Sequence, residues 1–298
     1  MSNARSIAIW TDNDLDGSGS AYLLSCIYKT PPHNVFIKEV YDKTFVGEFK
    51  GWIAANYDKY DTIFITDLHI PDELVDVVDD PKVVIIDHHQ SHVDVKDRYK
   101  KAKVIIEYET SCTKLIRRKF EAVLKLTDAQ KELLDHVDDY DNYTLKLKDT
   151  LKYNAIYHSY NRPKVDKFIE SFRDGVREFT PNEKNAIKLY FLKYKEQIDK
   201  ATFYFGSIKG YKVVGCFAEN SIIELAHYAI NHFKADIAMV VILQAKSVSI
   251  RKNKETCPIE LHKLAEKLCD GGGHAYAAGG KLTDKFMEFL KTLTAQQS

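Results

Sequence analysis

Five short apolar runs of β type alternate with helical patterns through the first half of the chain, and that alternation leaves few folds open. "SIAIW" (6–10), "VFIKEV" (35–40), "DTIFIT" (61–66), "KVVIID" (82–87) and "KVIIEY" (103–108) are separated by helical spacing at 18–29, 45–57 and 71–79, the last opened by Pro71. Helices over 110–124 and 127–139 follow the fifth run, and Thr127 makes a good cap for the second. Near-continuous apolar strands joined by crossovers long enough for a helix build a parallel sheet covered on both faces. From about 160 to 200 the pattern becomes long, charged and helical, and reads as a connector. Beyond it come "ATFYFGSI", "YKVVGCF", a helix at 221–233, "DIAMVVILQ", "KSVSIR", a helix opened by Pro258, and "CDGGGHAYAAGG" before a short closing helix. The expected organisation is α/β throughout: a parallel-sheet domain over 1–160, a helical linker over 161–200 and a smaller α/β domain over 201–298.

The polar residues of the first half collect where such a sheet binds ligands, outside the carboxyl ends of its strands. Asp12, Asp14 and Asp16 follow the first strand in "TDNDLDGSGS" (11–20), Asp67 closes the third, and Asp87, His88 and His89 close the fourth. One such residue is ordinarily a cap or turn former; three strands delivering Asp and His to one edge argue for a site. A fourth acidic cluster, "DHVDDYDNY" (135–143), ends a helical stretch, where a charge run is ordinarily just a solvated helix end. The first motif begins like a calcium loop, Asp-x-Asp-x-Asp-Gly, but the twelfth position from Asp12 is Leu23 rather than glutamate, and a strand precedes it in place of a helix.

Composition narrows the partners. Lys plus Arg and Asp plus Glu number 43 each, so there is no global field for a polyanion, and such a ligand needs a local site. The five cysteines show no zinc-knuckle or redox spacing, which suits reduced thiols in a cytoplasmic protein. No apolar run approaches membrane length, and the first residues lack the layout of a signal peptide.

In order along the chain, "DNDLDG", the lone Asp67, "DHH" at 87–89 and "VDDYDNY" resemble the four motifs of the DHH phosphoesterases, which include RecJ-type exonucleases, nanoRNases and manganese pyrophosphatases. "SIR" (249–251) and "GGGHAYAAGG" (271–280) resemble the DHH-associated domain of the nuclease branches. The resemblance covers nearly the whole chain. It implies two divalent metal ions, Mn2+ with Mg2+ as the alternative, held by Asp12, Asp14, Asp16, Asp67, His88 and Asp139, with Asp67 bridging. Asp139 is chosen within its motif for its spacing to Asp141 and Tyr143, and Asp138 and Asp141 stay open. His89 would face the scissile phosphate, and Asp87 would orient an imidazole. Arg251, Ser249, Gly271, Gly272, Gly273 and His274 would hold substrate, the linker letting the two domains close over it. One departure stands out: where several branches carry a histidine four residues before the first motif aspartate, this chain has Trp10, so that Asp12 is the candidate substitute and the Asp14 site the weaker one. His69 and His92 are candidates for lining the site, whereas His227, His232 and His262 fall in helical patterns as packing or surface residues.

The implied activity is hydrolysis of short single-stranded oligonucleotides to nucleoside monophosphates, since neither the length nor the neutral charge provides a basic track for long nucleic acid. A cyclic-dinucleotide phosphodiesterase, an adenosine 3′,5′-bisphosphate phosphatase and a RecJ-like single-strand DNA exonuclease share the chemistry. A nucleic-acid-binding scaffold with a decayed site is the non-enzymatic alternative, and the intact motif residues count against it. A homodimer is left open, as are RNA or DNA, polarity of attack and substrate length.

Overall fold

The computed structural model describes residues 6–28, 35–41, 44–93, 95–219, 222–273 and 275–294. The chain divides into two compact units, residues 1–187 and 188–298.

The first unit is built on five parallel strands, β1 (Ile7–Asp12), β2 (Val35–Val40), β3 (Thr62–Thr66), β4 (Val83–Asp87) and β5 (Lys103–Ile106). Their order across the sheet is β2-β1-β3-β4-β5. The chain steps outward from β1 to β2, then returns past β1 to β3, so the strand order reverses between β1 and β3. Such a switch point opens a crevice at the carboxyl ends of the flanking strands.

Period-two alternation sends successive side chains to opposite faces of the sheet. Ala8, Trp10, Ile63, Ile65 and Ile85 pack on one face with Phe45 and Phe49 of α2 (Phe45–Asn56) and with Leu74 and Val78, the latter ending the short helix α3 (Val75–Val78). Ile7, Ile9, Phe64 and Ile86 face the other way, against α1 (Leu15–Tyr28), α5 (Cys112–Lys119) and α6 (Asp128–Asp141). A one-turn helix, α4 (Gln90–Val93), follows β4. Thr127 caps α6 with a full capping box, its hydroxyl accepting from the Gln130 amide while the Gln130 side chain returns to the Thr127 amide.

The region read as one long helical connector is broken. Helix α7 (Thr150–Ser159) precedes it unforeseen, α8 (Lys164–Ser171) follows Pro163, and α9 (Pro181–Lys200) opens at its own proline and runs across the division between the units. Two prolines, each suited to a helix start and poor inside one, explain the breaks. The turn before α9 is held by Arg177, whose guanidinium donates to both Glu183 oxygens at 2.8 and 2.7 Å.

The second unit carries β6 (Phe203–Ile208), β7 (Tyr211–Phe217), β8 (Ile237–Ile242), β9 (Ser247–Lys252), β10 (Gly272–Gly273) and β11 (Ala277–Lys281), ordered β10-β11-β9-β8-β7-β6. Among the described residues of this unit only β7 and β8 pair in parallel, joined by α10 (Ile222–His232). Helix α11 (Leu261–Cys269) starts at Leu261 rather than beside Pro258, because Glu260 is still extended; α12 (Asp284–Thr294) closes the unit. The glycine run, offered by the sequence as a holder of substrate, is an edge strand, Gly272 and Gly273 pairing with Gly279 and Ala278. Gly271 is required for this, since a Cβ there would lie 2.0 Å from the Gly279 carbonyl oxygen.

Candidate metal centre at the strand ends

Four elements of the first unit bring side chains to the crevice. Asp14 immediately precedes α1 and Asp16 lies in its first turn, Asp67 follows β3, His88 and His89 follow β4, and Asp141 is the last residue of α6. "TDNDLDGSGS" is therefore a strand end running straight into a helix, not an acidic turn. Gly17 makes that junction feasible: a Cβ there would stand 2.1 Å from the Asp12 carbonyl oxygen.

His88 is the centre of the arrangement. It is fully buried, and its Nε2 lies 3.3 Å from Asp67, 3.6 Å from Asp16 and 3.6 Å from Asp141. Its Nδ1 faces the Glu109 carbonyl at 3.2 Å. A carbonyl only accepts, so Nδ1 carries the proton and the Nε2 lone pair points at the three carboxylates. That is the tautomer a metal-ligating imidazole needs.

Asp16 is buried and accepts from the Cys112 and Thr113 amides at 2.7 and 2.9 Å, so the first turn of α5 fixes its orientation. Asp67 adopts a left-handed backbone, φ 57°, while its amide donates to Ile86. A non-glycine residue is rarely held so, and such strain concentrates at functional positions. Burial pushes the Asp67 carboxyl well above its usual range, and Asp16 and Asp14 add repulsion. Asp141 is raised for the same reasons, burial first and then Asp16 and Asp14. Asp14, whose carboxylate accepts from the Gly17 amide at 2.8 Å, is pushed up to about 6 by burial and by Asp16. Four carboxylates that repel one another in a low-dielectric crevice, with an imidazole presenting a lone pair, are a donor set fitted to divalent cations of the manganese and magnesium type.

The structure replaces one expected member of this set. Asp139 is turned away from His88: it accepts from the Lys146 and Leu147 amides at 2.9 and 3.0 Å and from the hydroxyls of Thr144 and Thr150. These donors outweigh burial and hold its carboxyl below the ordinary value. Asp141 takes the place beside His88. Two residues of an α-helix differ by about 200° in direction, so only one of the pair can face the strand ends. Asp138 accepts from the Thr110 and Ser111 hydroxyls.

Asp12 ends β1 and its carboxylate accepts from the Asn13 amide; it is not among the described groups that converge on His88. Trp10 lies in the apolar layer, 5.0 Å from Phe49 and 5.5 Å from Trp52 between ring centroids, so no ligand comes from that position. His89 sits beside His88 with its Nδ1 2.8 Å from Asp87. Burial alone would raise Asp87, but contacts with His89 and His92 hold it far below the usual carboxylate range. Against the cost of its own burial, Asp87 raises the His89 imidazole. The sequence marked His69 and His92 only as residues lining the site; the structure ties both to Asp87 through one chain of hydrogen bonds.

In the second unit, Arg251 and Ser249 share β9, and the guanidinium donates to the Ser249 hydroxyl at 2.9 Å. Ser249 registers against Gly279. Gly271, Gly272 and Gly273 form and precede the neighbouring edge, while His274 lies outside the described residues. A cavity of about 860 Å3 in the first unit is lined by residues of α5 and α6 such as Arg117, Leu134 and Asp138 and by Lys146.

Comparison with known proteins bears on this geometry. Residues 6–139 match the family described as the DHH family, N-terminal domain. The chain carries a DHH-family domain. Among curated proteins, none matches the sequence significantly. Of solved structures, the pGpG-specific phosphodiesterase PggH of Vibrio cholerae is similar at 16% identity, with a TM-score of 0.56 over 98% of each chain. An exopolyphosphatase-related protein of Bacteroides fragilis is similar at 15% identity and a TM-score of 0.57, over 98% of this chain and 92% of that one. RecJ of Thermus thermophilus, in complex with Mn2+, reaches a TM-score of 0.52 at 12% identity over 98% of this chain and 52% of its own. At these identities the likeness is one of fold, and it extends beyond the DHH domain through the second unit. Among the described residues no helix is long and apolar enough to cross a membrane.

Proposed function

We propose that this DHH protein is a metal-dependent phosphodiesterase that cleaves short single-stranded oligonucleotides to nucleoside monophosphates. The observation that carries the reading is the convergence of Asp16, Asp67 and Asp141 on the Nε2 of a buried His88, with Asp14 beside them. Asp16, Asp67, His88 and Asp141 would hold one divalent ion, and Asp14 with a bridging Asp67 the second. Bound there, two such ions neutralise phosphoryl charge and make water nucleophilic at neutral pH. His89, kept basic by Asp87, donates a proton or hydrogen bond to the phosphate or leaving oxygen. Asp16 keeps its place through the α5 amides, and the strained Asp67 backbone fixes that carboxylate beside His88. Arg251 and Ser249, with the β10 backbone and His274, would supply substrate phosphate contacts from the second unit, the substrate-binding one.

The end-to-end likeness to a phosphodiesterase named for the dinucleotide pGpG favours a short substrate. The neutral net charge agrees, as binding long polyanions requires many cations in a row. The test is a panel of initial rates with Mn2+: linear dinucleotides, longer labelled oligomers, cyclic dinucleotides and adenosine 3′,5′-bisphosphate. The reading expects the linear dinucleotides to be cleaved fastest. Preference for a cyclic dinucleotide or the bisphosphate would reassign the substrate, and no turnover of any member would reject the activity.

A further inference from the structure

Beyond the ligand set, Asp87 is the hub of a second constellation. It is buried, and each of its oxygens meets an imidazole: Oδ1 lies 2.8 Å from His89 Nδ1, and Oδ2 is bonded to His92 Nδ1. His92 Nε2 in turn lies 2.9 Å from Nδ1 of His69, which is exposed. A carboxylate only accepts, so both Nδ1 atoms facing Asp87 carry protons. The nitrogen His89 has left for chemistry is therefore Nε2.

Local structure builds this chain from separate elements. The turn of α4 brings His92 back over the end of β4, its amide donating to the His89 carbonyl at 3.0 Å. The loop after β3 is anchored by buried Leu68 and Ile70 on either side of His69, and Arg98 donates to the Ile70 carbonyl at 2.8 Å. The two histidines thus come from separate loops, one after β3 and one after β4, on backbone that is itself pinned.

We infer that His92, backed by His69, is a positioning residue of the phosphodiesterase: it holds Asp87 in the rotamer that fixes the ring plane and tautomer of His89. The inference rests on the functional reading for the role of His89, and on geometry alone for the chain of bonds. With Oδ2 anchored, the Asp87 carboxyl cannot swing about its own axis, and Oδ1 stays where His89 needs it. Loss of His92 leaves a buried charged oxygen without its donor and lets the carboxyl rotate. His89 then spends less time with Nε2 aimed at the reacting phosphate. The metal ligands Asp16, Asp67, His88 and Asp141 are not bonded to His92, so metal affinity is left alone.

Two measurements on the full chain test this. In imidazole 1H–15N spectra recorded before any metal is added, the His89 Nδ1–H, assigned by its loss in H89Q, is expected downfield and sharp. It should disappear or broaden in H92A and persist in H92N, whose amide still donates to Asp87; an unchanged signal in H92A overturns the inference. In steady state with Mn2+, H92A should lower kcat about 10- to 100-fold, with KM and the Mn2+ half-saturation within about twofold. H92N should recover most of kcat, and H69A should fall between H92A and the parent. Unchanged kcat in folded H92A, or a Mn2+ half-saturation that moves as far as kcat, overturns the positioning role. A parent protein inactive on every substrate rejects the functional reading, whereas the spectra, which need no substrate, still decide whether His92 holds His89.

Discussion

Asp139 and Asp141 stand two positions apart on one helix and do opposite work. Asp141 faces His88 at 3.6 Å, whereas Asp139 gathers the amides of 146 and 147 and the hydroxyls of Thr144 and Thr150 into a tight loop. D141N should therefore abolish Mn2+-dependent turnover, by about 10²-fold or more, with little change in melting temperature. D139N should lower stability by about 1–3 kcal/mol, seen as a lower melting temperature, and retain much more activity. Metal titration by calorimetry on both variants separates the roles. The acidity of "VDDYDNY" was legible in the sequence, but the choice within it was not. It depends on where the helix ends and on which side the following loop supplies donors, and both are tertiary facts. The same holds for His92, whose five-residue distance from Asp87 becomes a contact only because a single helical turn intervenes.

A carboxylate cluster also has a cost at this scale. Asp14, Asp67 and Asp141 all have raised carboxyls, Asp14 to about 6. A carboxyl raised in the folded state keeps its proton while the unfolded chain has lost it, so this contribution to stability falls as pH rises from about 4 through 6. At pH 7 the metal-free protein carries the cost of burying a charged Asp14 beside Asp16, a cost that a bound cation would relieve. D14N should raise the metal-free melting temperature at pH 7, by about 1–2 kcal/mol of stability, and make no such difference at pH 4. Mn2+ should stabilise the parent protein more than D14N in the same melts.

Among the elements, the β1–α1 junction is the most constrained. Gly17 leaves no room for a Cβ against the Asp12 carbonyl, and the Thr11 hydroxyl donates to the Gly17 carbonyl at 3.0 Å. G17A must push α1 away from the strand end, carrying Asp14 and Asp16 with it. The expected result is loss of metal-dependent activity together with a destabilisation of about 1–3 kcal/mol, read from activity and melting temperature on one sample. The strands and their order of motifs were legible because parallel, doubly covered strands are apolar throughout and end abruptly in Asp or His. The glycine-rich finish was legible as a motif but not as the paired strand it is. A run of glycines signals close backbone approach equally in a loop and in a hairpin, and only the partner at 277–281 distinguishes them.

For the whole molecule, the proposed labour divides between two sheets: the parallel sheet brings the candidate metal ligands to its switch point, and the mixed sheet carries Arg251, Ser249 and the glycine edge proposed for substrate. If the carboxylates around His88 form a working two-metal phosphodiesterase centre, as proposed, Asp67 is the residue on which it depends. The decisive measurement is the initial rate of hydrolysis of a linear dinucleotide in Mn2+, for the parent protein and D67N purified side by side. The parent should turn the dinucleotide over, and D67N should lose about 10³-fold or more while staying folded, because a neutral amide relieves repulsion there. Equal rates in the two proteins, or no turnover by the parent, would contradict a two-metal centre at these carboxylates.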